Sequence, residues 1–236
     1  MSPLPASLVL GVDVTTPAGG VALVSCGRLL EERPLEPAAS PSPQLMPAIG
    51  AVLEAAGRQP GELTGWAVSV GPGSFTGTRV GLATLRALSH ATGIPLAGVS
   101  TLEAVLATAC GPPPAAAAWV DAGRGEVYAR FRPSAPPGEG VPRPAPQNDE
   151  EERLARPADL LAALPAAPIR FCGSGALLHA GLIRTRPRRH AGDQIVPAVP
   201  VLAAAVAVLG ERALSAGRPG PAEPRYIRPK AATQAQ

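Results

Sequence analysis

The stretch Gly71-Pro-Gly-Ser-Phe-Thr-Gly-Thr-Arg-Val-Gly81 decides the fold. Residues 65–70 before it are apolar and predict a buried strand, and residues 76–91 predict a long helix. A strand, a glycine-rich loop and a helix in this order direct backbone N–H groups outward at the helix N-terminus, which suits an anion. No Lys-Ser or Lys-Thr pair follows the loop, so it is not a Walker A loop. Its glycine spacing also excludes the dinucleotide-binding fingerprint.

The helix predicted over residues 76–91 is apolar nearly all round, and a helix of this kind is buried on every side. One sheet covers only one of its faces, so the pattern favours a partner on the other. Gly77 and Gly81, together with Thr84 and Leu88, form a narrow stripe of small residues that a second helix can approach closely. Packing of this stripe against the chain's own sheet is the alternative.

The segment Gly11-Val-Asp-Val-Thr-Thr16 ends a second apolar strand, predicted over residues 7–14. It places the Asp13 carboxylate at the strand end and the Thr15 and Thr16 hydroxyls in the following turn. Together with Gly71 and Gly73, these groups are the candidate phosphate-binding site, with the acid reaching a metal ion or its water. The alternative is that Asp13 only satisfies the amides of its own turn.

The remaining pattern predicts an α/β protein with mixed sheets flanked by helices. The predicted elements of the first half are strands over 19–25, 28–33 and 95–99 and a helix over 44–56. Those of the second half are strands over 116–121, 126–131 and 169–172, an exposed loop over 133–150, and helices over 158–164 and 199–216. Three consecutive prolines after Gly111 suggest a boundary. We therefore predict an N-terminal lobe of residues 1–110, a smaller lobe of 111–216, and a tail of 217–236 that returns to the first lobe.

Composition limits the function only weakly. The net charge of +3 neither requires nor excludes a nucleic-acid partner. Three cysteines without a CxxC pair favour a reducing, cytoplasmic compartment. No apolar run reaches membrane-spanning length, so no membrane partner is expected. The basic segment Arg184-Thr-Arg-Pro-Arg-Arg-His190 either contacts tRNA phosphates or is a solvated loop.

Several segments, in the same order and with sensible spacing, resemble the TsaB (YeaZ-like) family. They are GVDVTTPAGGVALV, QLMPAIGAVLEAAG, GPGSFTGTRVGL, IPLAGVSTLEAVL, VDAGRGEVYARFR and PRYIR. The resemblance spans most of the chain and is weakest from about residue 133 to 215. It implies a two-lobed actin-like ATPase fold of the ribonuclease H-like type.

The same resemblance separates this chain from the catalytic paralogue, TsaD. TsaD-like chains carry two metal-binding histidines at i and i+4 on the helix after the strand that matches residues 95–99. Thr101 and Val105 occupy those positions here, and neither side chain replaces an imidazole ligand. His90, His179 and His190 are too far apart in sequence to form such a pair. We therefore expect no metal, no catalytic residue and no cofactor of its own, with ATP or ADP bound, if at all, at the partner interface.

The function that the resemblance implies is a scaffold for TsaD in the complex that forms threonylcarbamoyladenosine beside the anticodon of tRNAs reading codons that begin with A. The small ATPase TsaE is a further partner, and tRNA is met through the complex. The predicted interface residues come from the two helices of the first lobe: Leu45, Met46, Ile49, Leu53, Phe75, Gly77, Arg79, Val80, Gly81 and Thr84.

Two alternatives belong to other classes. An actin-like ATPase or phosphotransferase acting on its own would use Asp13, with Asp121 as a second acid and Gly173-Ser-Gly175 as an adenosine loop. The same exposed helices would also let the chain form a homodimer at high concentration.

Overall fold

The computed structural model describes residues 7–37, 39–108, 115–134, 152–197 and 201–227. Its strands are β1 Leu8–Asp13, β2 Gly20–Ser25, β3 Arg28–Pro34, β4 Gly65–Ser69, β5 Leu96–Val99, β6 Ala115–Gly123, β7 Glu126–Arg132, β8 Glu152–Ala155, β9 Ile169–Cys172 and β10 Gln194–Ile195. Its helices are α1 Pro41–Ala55, α2 Phe75–Thr92, α3 Thr101–Thr108, α4 Pro157–Ala163, α5 Ser174–Leu178, α6 Ala180–Arg184 and α7 Ala203–Ser215.

The chain divides into two compact units, Met1–Thr108 with Val199–Arg225, and Ala109–Ala198 with Tyr226–Gln236. Gly111 and the prolines after it lie outside the described residues. Helix α7, which we predicted within the lobe of residues 111–216, instead belongs to the first unit. Part of the predicted tail also returns there, because the Gly98 N–H donates to the Gly220 carbonyl at 2.9 Å and the Arg225 N–H donates to the Val70 carbonyl at 2.8 Å.

The first unit is built on a mixed sheet with the strand order β3-β2-β1-β4-β5. Strands β1, β2 and β3 pair antiparallel, whereas β1, β4 and β5 pair parallel. Alternate side chains of β1 therefore point to opposite faces. Leu8, Leu10 and Val12 face the core beneath α1 and α2. Gly11 faces α7, which covers the other side of the sheet.

Helix α7 lies unusually close to the sheet because glycines remove the side chains between them. A Cβ on Gly11 would lie 2.5 Å from the Ala207 backbone nitrogen, and one on Gly210 would lie 2.3 Å from the Ala67 Cβ. Carboxylates attach the helix at both ends to the β2–β3 hairpin. The Ala204 N–H donates to Glu32 at 3.1 Å, and Glu211 accepts from the Gly27 N–H at 2.7 Å and from the Ser7 hydroxyl.

The second unit has a mixed sheet with the order β10-β9-β6-β7-β8. Its core includes an edge-on contact between Trp119 and Phe171, whose ring centroids are 5.6 Å apart. Strands β8 and β10 were not predicted. Of the loop predicted over residues 133–150, the part from 135 onward lies outside the described residues. Among the described residues, no helix has the length and apolar character needed to cross a membrane.

Candidate functional site

The Asp13 carboxylate is the centre of a closed hydrogen-bond network at the carboxyl end of β1. Its Oδ1 accepts from the Thr15 N–H at 3.0 Å, the Thr15 hydroxyl at 2.6 Å and the Ser69 hydroxyl at 2.5 Å. Its Oδ2 accepts from the Thr16 hydroxyl at 2.6 Å. The Asp13 side chain is 0% exposed. Four donors from this chain therefore replace the water that a buried carboxylate loses.

This network brings together Asp13, Thr15 and Thr16 of the candidate phosphate site, but it turns them toward one another. A cation or phosphate at Asp13 would have to break hydrogen bonds that the folded chain already makes. Thr101, at the position that matches the first metal-binding histidine of TsaD-like chains, also joins the network, because its hydroxyl lies 2.8 Å from the Thr15 hydroxyl. Thr101 is 0% exposed and Val105 is 1% exposed.

The glycine-rich loop packs directly against the end of β1. A Cβ on Gly73 would lie 2.4 Å from the Thr15 carbonyl oxygen, and that carbonyl accepts from the Ser74 N–H at 2.8 Å. The Ser74 hydroxyl caps α2 by accepting from the Gly77 N–H at 3.1 Å. Gly71 joins the same region through its carbonyl, which accepts from the Thr101 N–H at 2.9 Å. At least two amides near the helix N-terminus thus have acceptors within the chain rather than an anion.

The two glycines of the small-residue stripe of α2 are internal. A Cβ on Gly77 would lie 1.8 Å from the Val14 carbonyl oxygen, and one on Gly81 would lie 2.8 Å from Cγ2 of Val14 and 3.4 Å from Cγ2 of Val68. These glycines bring α2 onto the sheet, as the alternative interpretation held. They are not available to a partner helix.

The predicted interface residues divide into two sets according to the helix face that each occupies. Leu45, Ile49 and Leu53 are at most 4% exposed and belong, like Gly77 and Gly81, to the interior of the first unit. The apolar spacing on α1 identified its inner face rather than its outer one, so these five residues are removed from the candidate surface.

The outer face of α1 and α2 keeps the other half of the predicted set. Met46 is 51% exposed and Phe75 is 53% exposed. Arg79 is also exposed, and its guanidinium carbon lies 3.8 Å from the centre of the Phe75 ring. Val80 and Thr84 are half-buried at the margin of this face. We call these five residues the outer helix face.

The groups required by the alternative ATPase mechanism do not form a comparable site in the second unit. Asp121 is exposed, and its Oδ1 accepts from the Gly123 N–H at 2.9 Å within the same turn. Ser174 accepts from the Asp121 N–H at 3.1 Å. A Cβ on Gly175 would lie 2.8 Å from Val127, so this glycine permits close packing.

The basic segment of residues 184–190 has a structural arginine at its centre. The Arg186 side chain is 0% exposed and forms an ion pair with Asp193 at 2.7 Å. It also donates to the carbonyls of Pro165 and Ala167, both at 3.0 Å. Burial alone would raise the pKa of Asp193, but the hydrogen bonds from Arg186 and from two backbone amides outweigh it and lower that pKa. At least Arg186 of this basic segment therefore serves to stabilise the fold.

Sequence reasoning missed two members of the Asp13 network, Ser69 and Thr101. Both follow from the sheet, since β4 is the parallel neighbour of β1 and β5 is the parallel neighbour of β4. Polar residues at the carboxyl ends of adjacent parallel strands meet at one edge, and this signal was present in the sequence. Within the described ranges, no group of three or more His, Cys, Asp and Glu side chains is placed to hold a metal ion.

Three comparisons relate this geometry to known proteins. The family model for TsaD, tRNA N6-adenosine threonylcarbamoyltransferase, matches residues 34–133. An uncharacterised protein of Mycobacterium tuberculosis is 37% identical over 130 residues, which are 54% of this chain and 60% of that protein. The tRNA threonylcarbamoyladenosine biosynthesis protein TsaB of Bacillus subtilis is 30% identical over 120 residues, 51% of this chain and 52% of that protein.

The structural likeness extends further than these sequence matches, which span little more than half the length of the curated relatives. The solved structure of YeaZ from Pseudomonas aeruginosa is 25% identical to this chain, with a TM-score of 0.71. The match covers 94% of this chain and 100% of that one. The predicted fold class, mixed sheets flanked by helices in an actin-like arrangement, is confirmed.

Proposed function

We propose that this chain, which belongs to the TsaB (YeaZ-like) family, is a scaffold subunit that binds a TsaD-type transferase during the formation of threonylcarbamoyladenosine in tRNA. The observation that carries the proposal is the outer helix face, where Met46 and Phe75 are about half exposed. Large apolar side chains that are exposed on the surface of a folded unit are typical of an interface.

The proposal gives the chain no catalytic step. Its buried acid, Asp13, has all four of its hydrogen bonds to donors of the same chain, and Thr101 replaces a metal ligand of the resembling paralogue. Catalysis and metal binding are assigned to the transferase partner. ATP or ADP, where it participates, is assigned to the interface between the two chains, and TsaE and tRNA are assigned to the assembled complex.

The test is co-expression with the TsaD-type protein of the same organism, followed by size-exclusion chromatography with light scattering. Met46→Glu places a carboxylate on the outer helix face and should weaken the complex at least about tenfold, or about 1.4 kcal/mol, because the charge is left unpaired when the interface closes. Leu178→Glu is the matched control, since Leu178 is 63% exposed and lies in the second unit. Val80→Glu is less suitable because Val80 packs against the core.

The outcomes separate clearly. A wild-type heterodimer that Met46→Glu weakens and Leu178→Glu leaves intact supports the proposal. A folded wild-type chain that forms no complex refutes it. ATP turnover by the isolated chain that is lost in Asp121→Asn would instead favour the enzyme alternative.

A further inference from the structure

The solvent side of α2 carries a column of basic side chains. Arg79, Arg86 and His90 are all exposed and stand seven and then four residues apart. At 3.6 residues per turn, this spacing places the three within about 40° of one another around the helix axis, over about 16 Å of its length. The basic column therefore runs along most of one helix face.

No acidic side chain of α2 balances this charge. The sequence Phe75–Thr92 contains no Asp or Glu. Among the described residues, neither Arg86 nor His90 forms an ion pair. The arginines of the column therefore present a positive potential to an approaching molecule.

Small side chains lie between the basic side chains of the column. Ala83 and Ala87 are the exposed residues between the basic side chains of α2. On α1, Met46, Gly50 and the acidic Glu54 are exposed at successive turns, and a Cβ on Gly50 would enter open space. Small residues allow a second helix to approach at the usual interaxial distance of about 8–10 Å. Ala83 and Ala87 therefore form a neutral strip beside the basic column.

We propose that this surface selects a helical partner that presents carboxylates opposite Arg79, Arg86 and His90. This inference rests on the proposed function and specifies the chemistry of the partner at that same interface. It also separates the partner from a second copy of this chain. A two-fold axis through α2 would bring the basic column against itself, and like charges across an interface disfavour the pairing. The homodimer considered above is accordingly limited to high concentration.

Arg79 is already held in position for such a partner. Its guanidinium lies 3.8 Å from the Phe75 ring centre, an arrangement that favours one orientation of both side chains. A side chain that is ordered before binding loses less conformational entropy when the complex forms. Among the described residues, Arg86 makes no such contact with an aromatic ring, so it is the better position for a charge test.

The test is the association rate of the chain with the TsaD-type protein, measured by stopped flow at about 0.01 M and about 0.15 M salt, where the Debye length falls from about 30 Å to about 8 Å. Arg86→Glu should slow association roughly tenfold at low salt, with a smaller deficit at high salt, because it reverses a steering charge. Arg188→Glu is the matched control: it changes the net charge equally at an exposed position in the second unit.

Three results decide the matter. A salt-dependent deficit confined to Arg86→Glu supports the inference. Equal association rates for the two variants overturn it while leaving the proposed function in place, and so does a wild-type homodimer as tight as the heterodimer. A folded wild-type chain that does not bind the transferase at all refutes the proposed function, and the inference with it.

Discussion

Asp13→Asn tests whether the buried carboxylate is a structural clamp. The substitution keeps the shape of the side chain but replaces one acceptor oxygen with an NH2 group. If the amide oxygen takes the position of Oδ1, which accepts three hydrogen bonds, the hydrogen bond from the Thr16 hydroxyl is lost. The other orientation loses more. Asparagine cannot reproduce the network in either orientation.

The magnitude follows from the number of bonds. One hydrogen bond to a charged group contributes about 1.5–3 kcal/mol, and the remaining three weaken when the charge disappears. Relief from burying a charge offsets part of this loss. We expect Asp13→Asn to lower the free energy of unfolding of the first unit by about 2–4 kcal/mol.

The assay is urea unfolding followed by the fluorescence of Trp66. The chain has two tryptophans, and Trp66 belongs to the first unit whereas Trp119 belongs to the second. A Trp119→Phe background makes the signal specific to the first unit. The midpoint should fall without a change in the slope of free energy against urea. Asp121→Asn is the matched control, because Asp121 is exposed in the second unit, and the Trp66 transition should stay in place.

The sign of the effect distinguishes the two roles considered for Asp13. A carboxylate kept for binding a cation or phosphate is an uncompensated charge in the ligand-free protein, and its removal typically stabilises the fold. If Asp13 is instead a structural clamp, removal of its charge destabilises the folded first unit. An unchanged or raised midpoint for Asp13→Asn would therefore refute the structural reasoning.

Two further predictions concern packing and pH. In urea titrations, Gly50→Ala should raise the free energy of unfolding by about 0.5–1 kcal/mol, because its Cβ enters open space on a helix. Gly77→Ala should instead lower the free energy of unfolding by at least about 3 kcal/mol, because its Cβ would lie 1.8 Å from the Val14 carbonyl oxygen. Equal effects of the two substitutions would contradict the helix faces assigned to these glycines. The pKa of Asp193 is lowered by Arg186, so its contribution to stability is present above the unfolded-state pKa of about 3.9 and is lost as pH falls through the lower folded value. Asp193→Asn should flatten this acid-side loss in thermal melts between about pH 5 and 2, and an unaltered pH profile would count against the ion pair.

The elements of the first unit were predictable because their patterns are strong. The apolar runs that predicted β1 and β2 and the apolar helix α2 agree with the structure to within about two residues, as expected for strong local signals. Helix α1 begins at Pro41 rather than at residue 44, because proline is tolerated in the first turn of a helix.

The missed elements lack such patterns. Strand β8 is only four residues long and reads Glu-Arg-Leu-Ala, and β10 has two residues. The unit to which α7 belongs depends on contacts far away in sequence, such as that of Gly210 with Ala67. Alanine-rich helices pack equally well on either sheet by composition, so nothing local could assign α7.

The candidate site shows the same division between local and distant information. Spacing alone placed Leu45 and Met46 together as interface candidates, although one is 1% exposed and the other 51%. Successive helix residues are about 100° apart, so an apolar pair at i and i+1 straddles the boundary between the inner and outer faces. The choice of face requires knowing where the sheet lies.

Hydrogen bonds link the Asp13 network to the outer helix face. Through them, the buried Asp13 carboxylate takes a role in the proposed function. Asp13 holds Thr15 in place, and the Thr15 carbonyl accepts a hydrogen bond from the Ser74 N–H at 2.8 Å. Ser74 in turn caps helix α2, whose first residue is Phe75. Loss of the clamp should therefore displace Phe75 even in molecules that remain folded. Asp13→Asn should then weaken transferase binding in proportion to this displacement, whereas an equally destabilising core change at Leu164 in the second unit should not. If both variants bind alike at matched stability, the clamp maintains the fold without positioning the interface.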